Sequence, residues 1–349
     1  MQTKTITFYL FLITVVGITA YFGNYYKATI GKQKYEDDYE IVKTYLLNDS
    51  PLYGQNRPKI WIHTKYQINA RKWKNFQSRN STDLNQPYLI LTVQSIINHC
   101  GNNFHICLID DESFPKLIPE WNLNITSLAE PMKSQARDIA MLQLVYHFGG
   151  MVVPNSFICS KNLVDLYQKG TLDDKPFFVE NHNRHCNLVK EKRSERFIAD
   201  IKMMGGKKHS EVVGKIVDFL KSNLKPGHFS QHNEFEGSLQ HLLQDALARN
   251  QINVIDGEFI GIKSKVKKPI LLEDLMEENY LDIDPSRIYG VLIPSEDILN
   301  RPKYQWFAIL PEEELLEKRM VISKLLKASM VDSIDEYHRT TEINSLLAI

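Results

Sequence analysis

The sequence predicts an α/β domain held behind an N-terminal hydrophobic span. Three observations lead there. An uncharged apolar run occupies the first residues, short β-type runs alternate with helical periodicity from residue 58 onward, and a helix stops at a double glycine that opens directly into a strand. The 349 residues are 43% apolar and 24% charged, the balance of an ordinary globular chain rather than a disordered one. Lys plus Arg equals Asp plus Glu at 42 each, so the molecule has no net field to gather nucleic acid, and no nucleic-acid partner is expected.

The span comes first. From Thr5 to Tyr26 there is no charged residue, and Ile6 to Phe22 is rich in Ile, Leu, Val and Phe. At about 1.5 Å per residue such a helix reaches roughly 33 Å, enough to cross a hydrocarbon core of about 30 Å. Tyr9 at one end, and Tyr21, Phe22, Tyr25 and Tyr26 at the other, suit the interfacial aromatic belt, with Lys4 and Lys27 beyond it. Residues 1–27 are therefore read as a single-pass anchor that makes the membrane a partner through residues 5–26. A cleaved signal peptide is the alternative, since Val15-Val16-Gly17 and Ile18-Thr19-Ala20 end in small residues. Flanking charge is nearly balanced and leaves the orientation open. Residues 28–57, polar and carrying Glu36-Asp37-Asp38, Pro51 and Gly54, form the expected stem.

The α/β pattern begins after Pro58. Lys59-Ile60-Trp61-Ile62-His63 is a β-type run, and Pro87 opens a helix whose apolar face is Leu89, Ile90, Val93, Ile96 and Ile97, ended by Gly101. Phe104 to Ile109 is the next strand and stops at Asp110-Asp111; Phe114 to Trp121 is short and helical or irregular. Strand, helix and strand in that order imply a parallel pair. Ser134 to Phe148 places Ile139, Leu142, Val145 and Tyr146 at helical spacing, Gly149-Gly150 terminates it, and Met151-Val152-Val153 is a strand interrupted by Pro154. Ligands in open α/β sheets gather beyond the carboxyl ends of strands, so the residues after Val153 should line a cleft. Helices are predicted at Ser210 to Leu220 and Gly237 to Ala248, a strand at Ile252 to Ile255, and a helical tail over 311–349, leaving 58–310 as the domain.

This order of elements resembles the capsular-polysaccharide-synthesis and family 32 glycosyltransferases. Pro58 to His63 resembles their first strand, and Pro87 through Ser95 to Asp110-Asp111 their next helix and strand. Asp138 followed by Gly149-Gly150 and a strand is similar to their central motif, which reads Ser-Asp, two residues, Arg, a leucine-rich helix, Gly-Gly, then a strand ending in Asp-x-Asp. The resemblance spans about residues 58–160. It implies a GT-A-like, Rossmann-type domain that binds a nucleotide-sugar donor as substrate and acts on a glycan acceptor, on polysaccharide or glycoprotein, as a hexosyltransferase in a secretory-pathway or other internal membrane.

In that family the Asp-x-Asp carboxylates hold a divalent ion that neutralises the diphosphate leaving group. Here the aligned triplet is Pro154-Asn155-Ser156, and Met141 stands where the family has Arg. Neutral oxygens of Asn155 and Ser156 hold a divalent ion poorly, so no metal is expected. The resemblance makes Asp138, Arg137, Asn155, Ser156, Asp110 and Asp111 the candidate substrate-binding residues and leaves the catalytic residue unassigned. Either the donor binds without metal, with Arg137 or Lys133 offsetting the diphosphate, or the domain is a catalytically inactive binding or assembly module in which 154–156 is only a turn. Simpler roles stand beside each: Asp138 complementing the first turn of a helix, Arg137 a solvated charge, and Asp110-Asp111-Glu112 a cap for the segment starting at Ser113.

Other clusters point less sharply. His182, His185 and Cys186, or His228 and His232, have partial zinc-ligand spacing but lack companion cysteines. Gly205-Gly206-Lys207-Lys208 lacks the P-loop pattern and a preceding strand, and reads as a lysine-rich turn. Asn80-Ser81-Thr82 and Asn124-Ile125-Thr126 are glycosylation sequons, meaningful only outside the cytoplasm. Cys100, Cys107, Cys159 and Cys186 contain no C-x-x-C pair; buried free thiols are the default, two bridges are open in an oxidising compartment, and the pairing is not readable.

Overall fold

The computed structural model describes residues 57–64, 86–181, 198–224 and 232–330. The anchor, the stem up to residue 56, the sequon at Asn80, and the cluster of His182, His185 and Cys186 with His228 lie outside the described residues. Among the described residues no helix is long and apolar enough to cross a membrane.

A six-stranded mixed sheet runs β2-β1-β3-β6-β5-β7. Its strands are β1 (Lys59–His63), β2 (His105–Ile109), β3 (Gly150–Val152), β5 (Phe177–Glu180), β6 (Ala199–Gly206) and β7 (Asn253–Ile255). β4 (Phe157–Cys159) pairs antiparallel with β8 (Gly290–Leu292) in a small second sheet. β1 is parallel to both β2 and β3, as the strand-helix-strand order predicts. β6 runs antiparallel to β3 and to β5, and β5 is parallel to β7. Five strands therefore end at the same edge of the sheet, and only β6 starts there.

Among the described residues five helices of at least two turns frame these sheets: α1 (Pro87–Cys100), α2 (Met132–Phe148), α3 (Glu211–Asn223), α4 (His232–Ala248) and α5 (Val321–Ser329). Pro87 at the start of α1 needs no N–H there and already has the helical φ. The right-handed crossover rule sends α1 and α2 to opposite faces of the sheet. Two cores result. One gathers Trp61, Cys107, Ile109 and Val152, alternate residues of their strands, with α2, α3 and α4. The other joins Tyr88, Leu89 and Leu91 of α1 to Ile158, Val291 and α5.

Helix α2 is buried on more than one side because the sheet and α3 pack against it. Ile139, Leu142 and Leu144 are wholly buried, and each contributes about 1.5–3 kcal/mol in apolar burial. Gly149 ends the helix at φ 70° and Gly150 follows at φ 97°, where a side chain is strained. A Cβ on Gly150 would also collide with the carbonyl oxygen of Lys59, so only glycine lets β3 enter beside β1. The indole of Trp61 donates to the Gly149 carbonyl at 2.9 Å and pins this turn to β1.

Three features depart from the sequence reading. β4, β5, β6 and β8 are absent from it, and Gly205-Gly206, read as a turn without a preceding strand, are the last residues of β6, paired with Met151 and Gly150. The reason is pattern: the second half of β6 is buried on both faces and shows no alternation. α2 begins at Met132, so Asp138 stands in the second helical turn, where the N-terminal dipole has faded. Residues beyond 310 pack with the domain, since Leu315, Val321, Ile322, Leu325 and Leu326 share the core with α1.

Candidate functional site

From β1 the chain crosses through α1 to β2 on one side, and from β2 it returns through α2 to β3 on the other side of β1. β1 and β3 are thus the neighbours between which a doubly wound sheet opens a crevice at its carboxyl edge. His63 ends β1 and Thr64 follows it at this edge, Asp110 and Asp111 follow β2, and Val153 to Ser156 follow β3.

Asp111 is the hub on the β2 side. Arg137 of α2 grips its carboxylate with both arms, Nε to Oδ1 at 2.8 Å and Nη2 to Oδ2 at 2.6 Å. His63 Nε2 lies 3.0 Å from the same Oδ1, and its ring stacks on Phe114 with centroids 5.3 Å apart and planes 6° from parallel. The side chains of His63, Asp111 and Arg137 are 10%, 19% and 11% exposed, so these charges are shielded from water and strengthened by it. Burial alone would raise the Asp111 pKa; hydrogen bonds from Arg137 and His63, with their positive charges, outweigh it and hold the carboxyl far below its ordinary range. Glu130 Oε1 approaches the remaining guanidinium nitrogen of Arg137, Nη1, at 3.6 Å. Arg137 is thus neither a solvated charge nor an unengaged cation for a diphosphate.

Asp110 has a different task. Its Oδ1 accepts from the Ser113 amide at 2.9 Å and from the Ser113 hydroxyl at 2.7 Å, the local capping turn weighed for this acidic run. Glu112 is exposed.

Pro154, Asn155 and Ser156 form the turn from β3 to β4. The Val153 amide still donates to the Trp61 carbonyl at 3.0 Å, and Pro154, with no N–H, ends the pairing. Thr92 of α1 donates to the Asn155 carbonyl, the Ile293 amide donates to the Ser156 carbonyl at 3.0 Å, and the Ser156 side chain is buried. Asn155 is half-exposed, and it alone of the three keeps a partly accessible polar side chain. Met141 is 7% exposed within the α2 core.

Asp138 is half-buried and belongs to a second charged group, with Lys202 on β6 at its centre. Lys202 Nζ stands 3.7 Å from Glu296 Oε1. Its side chain is 56% exposed, so desolvation works only weakly against the ammonium, and the negative charges of Asp200, Glu296, Asp138 and Glu236 raise the lysine pKa. The sequence offered no sign of this group, because its members come from α2, β6, α4 and the helical turn Ser295–Asn300. His63 was legible only as a strand residue; its place as the last residue of β1 was the available signal. Among the described residues no group of His, Cys, Asp and Glu has the arrangement of a metal site.

No family model and no curated protein matches the chain. Among solved structures, a galactosyltransferase, LgtC, in complex with donor and acceptor sugar analogs is similar over 58% of this chain and 74% of its own, at 12% identity and a TM-score of 0.27. A likeness at that score carries no argument about function.

Proposed function

We propose that the domain is a glycosyltransferase-like binder of a nucleotide sugar, held to a secretory-pathway or other internal membrane by residues 5–26, with a donor site that does not use an Asp-x-Asp metal. The observation that carries this reading is the carboxyl edge itself: the crevice position between β1 and β3 has Asn155 on one side and the Asp111–Arg137–His63 group on the other. It agrees with the resemblance of residues 58–160 to family 32 glycosyltransferases, whose donor-contacting aspartate matches Asp138. Neutral Asn155 offers hydrogen bonds to sugar hydroxyls but no charge for a divalent ion.

The non-catalytic module is favoured by a different observation. Arg137 spends both arms on Asp111, and Met141 fills core where the family has an arginine, so two cations that would meet a diphosphate are lost. Calorimetry of the full chain against a panel of UDP- and GDP-sugars, with EDTA and with Mn²⁺, tests both. Binding unchanged by EDTA supports the metal-free donor site, a strict metal requirement overturns it, and no binding to any donor leaves the assembly module. Donor hydrolysis or transfer in the same samples separates an active transferase from a binder.

A further inference from the structure

We infer that Cys100 and Cys159 are a disulfide-forming pair that staples the end of α1 to β4. They are 59 residues apart in sequence, yet their sulfurs lie 3.9 Å from each other, and both side chains are fully buried. Cys100 is the last residue of α1 and Cys159 the last of β4, so the backbone on both sides is at an element end, where small shifts are tolerated. A bond needs the sulfurs to close to about 2.05 Å, a movement that side-chain rotation and a small shift of two such ends supply.

The surroundings hold the two thiols in register. Earlier on α1, Ser95 Oγ accepts from the Cys159 amide at 2.9 Å, and one turn before it Thr92 donates to the Asn155 carbonyl. Beyond the pair, Asn162 Nδ2 donates to Asn103 Oδ1 at 2.7 Å. Four contacts along one seam thus join α1 and its end to the segment 155–162, and the cysteine pair is the one that can become covalent. Cys107 belongs to the core on the other face of the sheet, where burial pushes its thiol up to about 12, and among the described residues it has no such neighbour. The bond would clamp the turn that carries Asn155.

The reaction is thiol–disulfide exchange with a small-molecule or protein disulfide. The two thiols give up two electrons and two protons, one S–S bond forms between Cys100 and Cys159, and the oxidant disulfide leaves as two thiols. Both side chains are wholly buried, so an external disulfide does not reach them in the folded domain and the bond forms as the chain folds.

The test uses the full chain in detergent, unfolded and refolded in a buffer dominated by oxidised glutathione, trapped with iodoacetamide without reductant, and digested for mass spectrometry. The expected product is a peptide pair linked through Cys100 and Cys159, with Cys107 alkylated. Recovery of both cysteines alkylated, or linked mainly to Cys107 or Cys186, overturns the assignment. In parallel, dithiothreitol should lower the Tm of the oxidised wild type and of Cys107→Ser by about 5 °C or more, and leave Cys100→Ser and Cys159→Ser unmoved. An equal drop in the two pair variants would also overturn it.

Discussion

Asp111 and Arg137 meet as a two-point clamp, with hydrogen bonds of 2.8 and 2.6 Å between the end of β2 and the second turn of α2. The clamp ties the loop after one strand to the helix that leads into another, and His63 closes it from β1. The end of β1, the loop after β2 and helix α2 are thereby held by one carboxylate.

If the clamp is cooperative, its partners are not independent. Arg137→Ala should destabilise the domain by about 3 kcal/mol, because it leaves a largely buried carboxylate with one partner fewer. Asp111→Ala should cost a similar amount, and the double variant clearly less than the sum, with a coupling of about 1.5–3 kcal/mol. Urea unfolding of the four proteins measures it. Additive losses would show that the contact contributes nothing jointly.

The pH dependence has a definite sign. The Asp111 pKa is lowered in the folded protein, so its contribution to stability is fully present above the unfolded value of about 3.9 and is lost as pH falls through the folded value. The Tm difference between wild type and Asp111→Asn should therefore be constant from neutral pH to about 5 and shrink below about 4. A difference that instead changed between pH 6 and 8 would transfer the titration to His63.

Asp138 distinguishes binding from structure. If it accepts a hydrogen bond from a donor's hydroxyl, Asp138→Asn should weaken nucleotide-sugar binding by roughly ten- to a hundredfold, the equivalent of about 1.5–3 kcal/mol. Its place in the second turn of α2 removes the helix dipole as a competing role, but the field of Lys202 remains one. Lys202→Met is the matched control: loss of stability in both variants with unchanged binding would reduce Asp138 to a partner of that lysine. Calorimetry and melting curves on the same preparations give both quantities.

Residues 1–27 should retain the chain in membranes through carbonate extraction, since burying an uncharged, mostly apolar run of about twenty residues far outweighs peripheral contacts. Release of the intact chain into the soluble fraction would remove the anchor. A mature N-terminus beyond residue 17 would identify a cleaved signal peptide instead.

The sequence by itself determined what depends on a window of a few residues. The spacing of Ile139, Leu142 and Val145 marked α2, Pro87 marked the start of α1, Gly149-Gly150 marked the passage into β3, and Asp110 was legible as a cap for Ser113 because both lie in one turn. The α/β class followed from that alternation. Tertiary structure alone decided what joins distant residues. Asp111 and Arg137 lie 26 positions apart, Cys100 and Cys159 lie 59 apart, and nothing in either local sequence names the other. β6 escaped for a related reason: its buried second half lacks the two-residue period, and its position between β3 and β5 is set by which edges remain to be paired. Local periodicity reports which face of an element turns inward, whereas the partner met there depends on how whole layers pack, and that packing turned Arg137 from a surface charge into the clamp on Asp111.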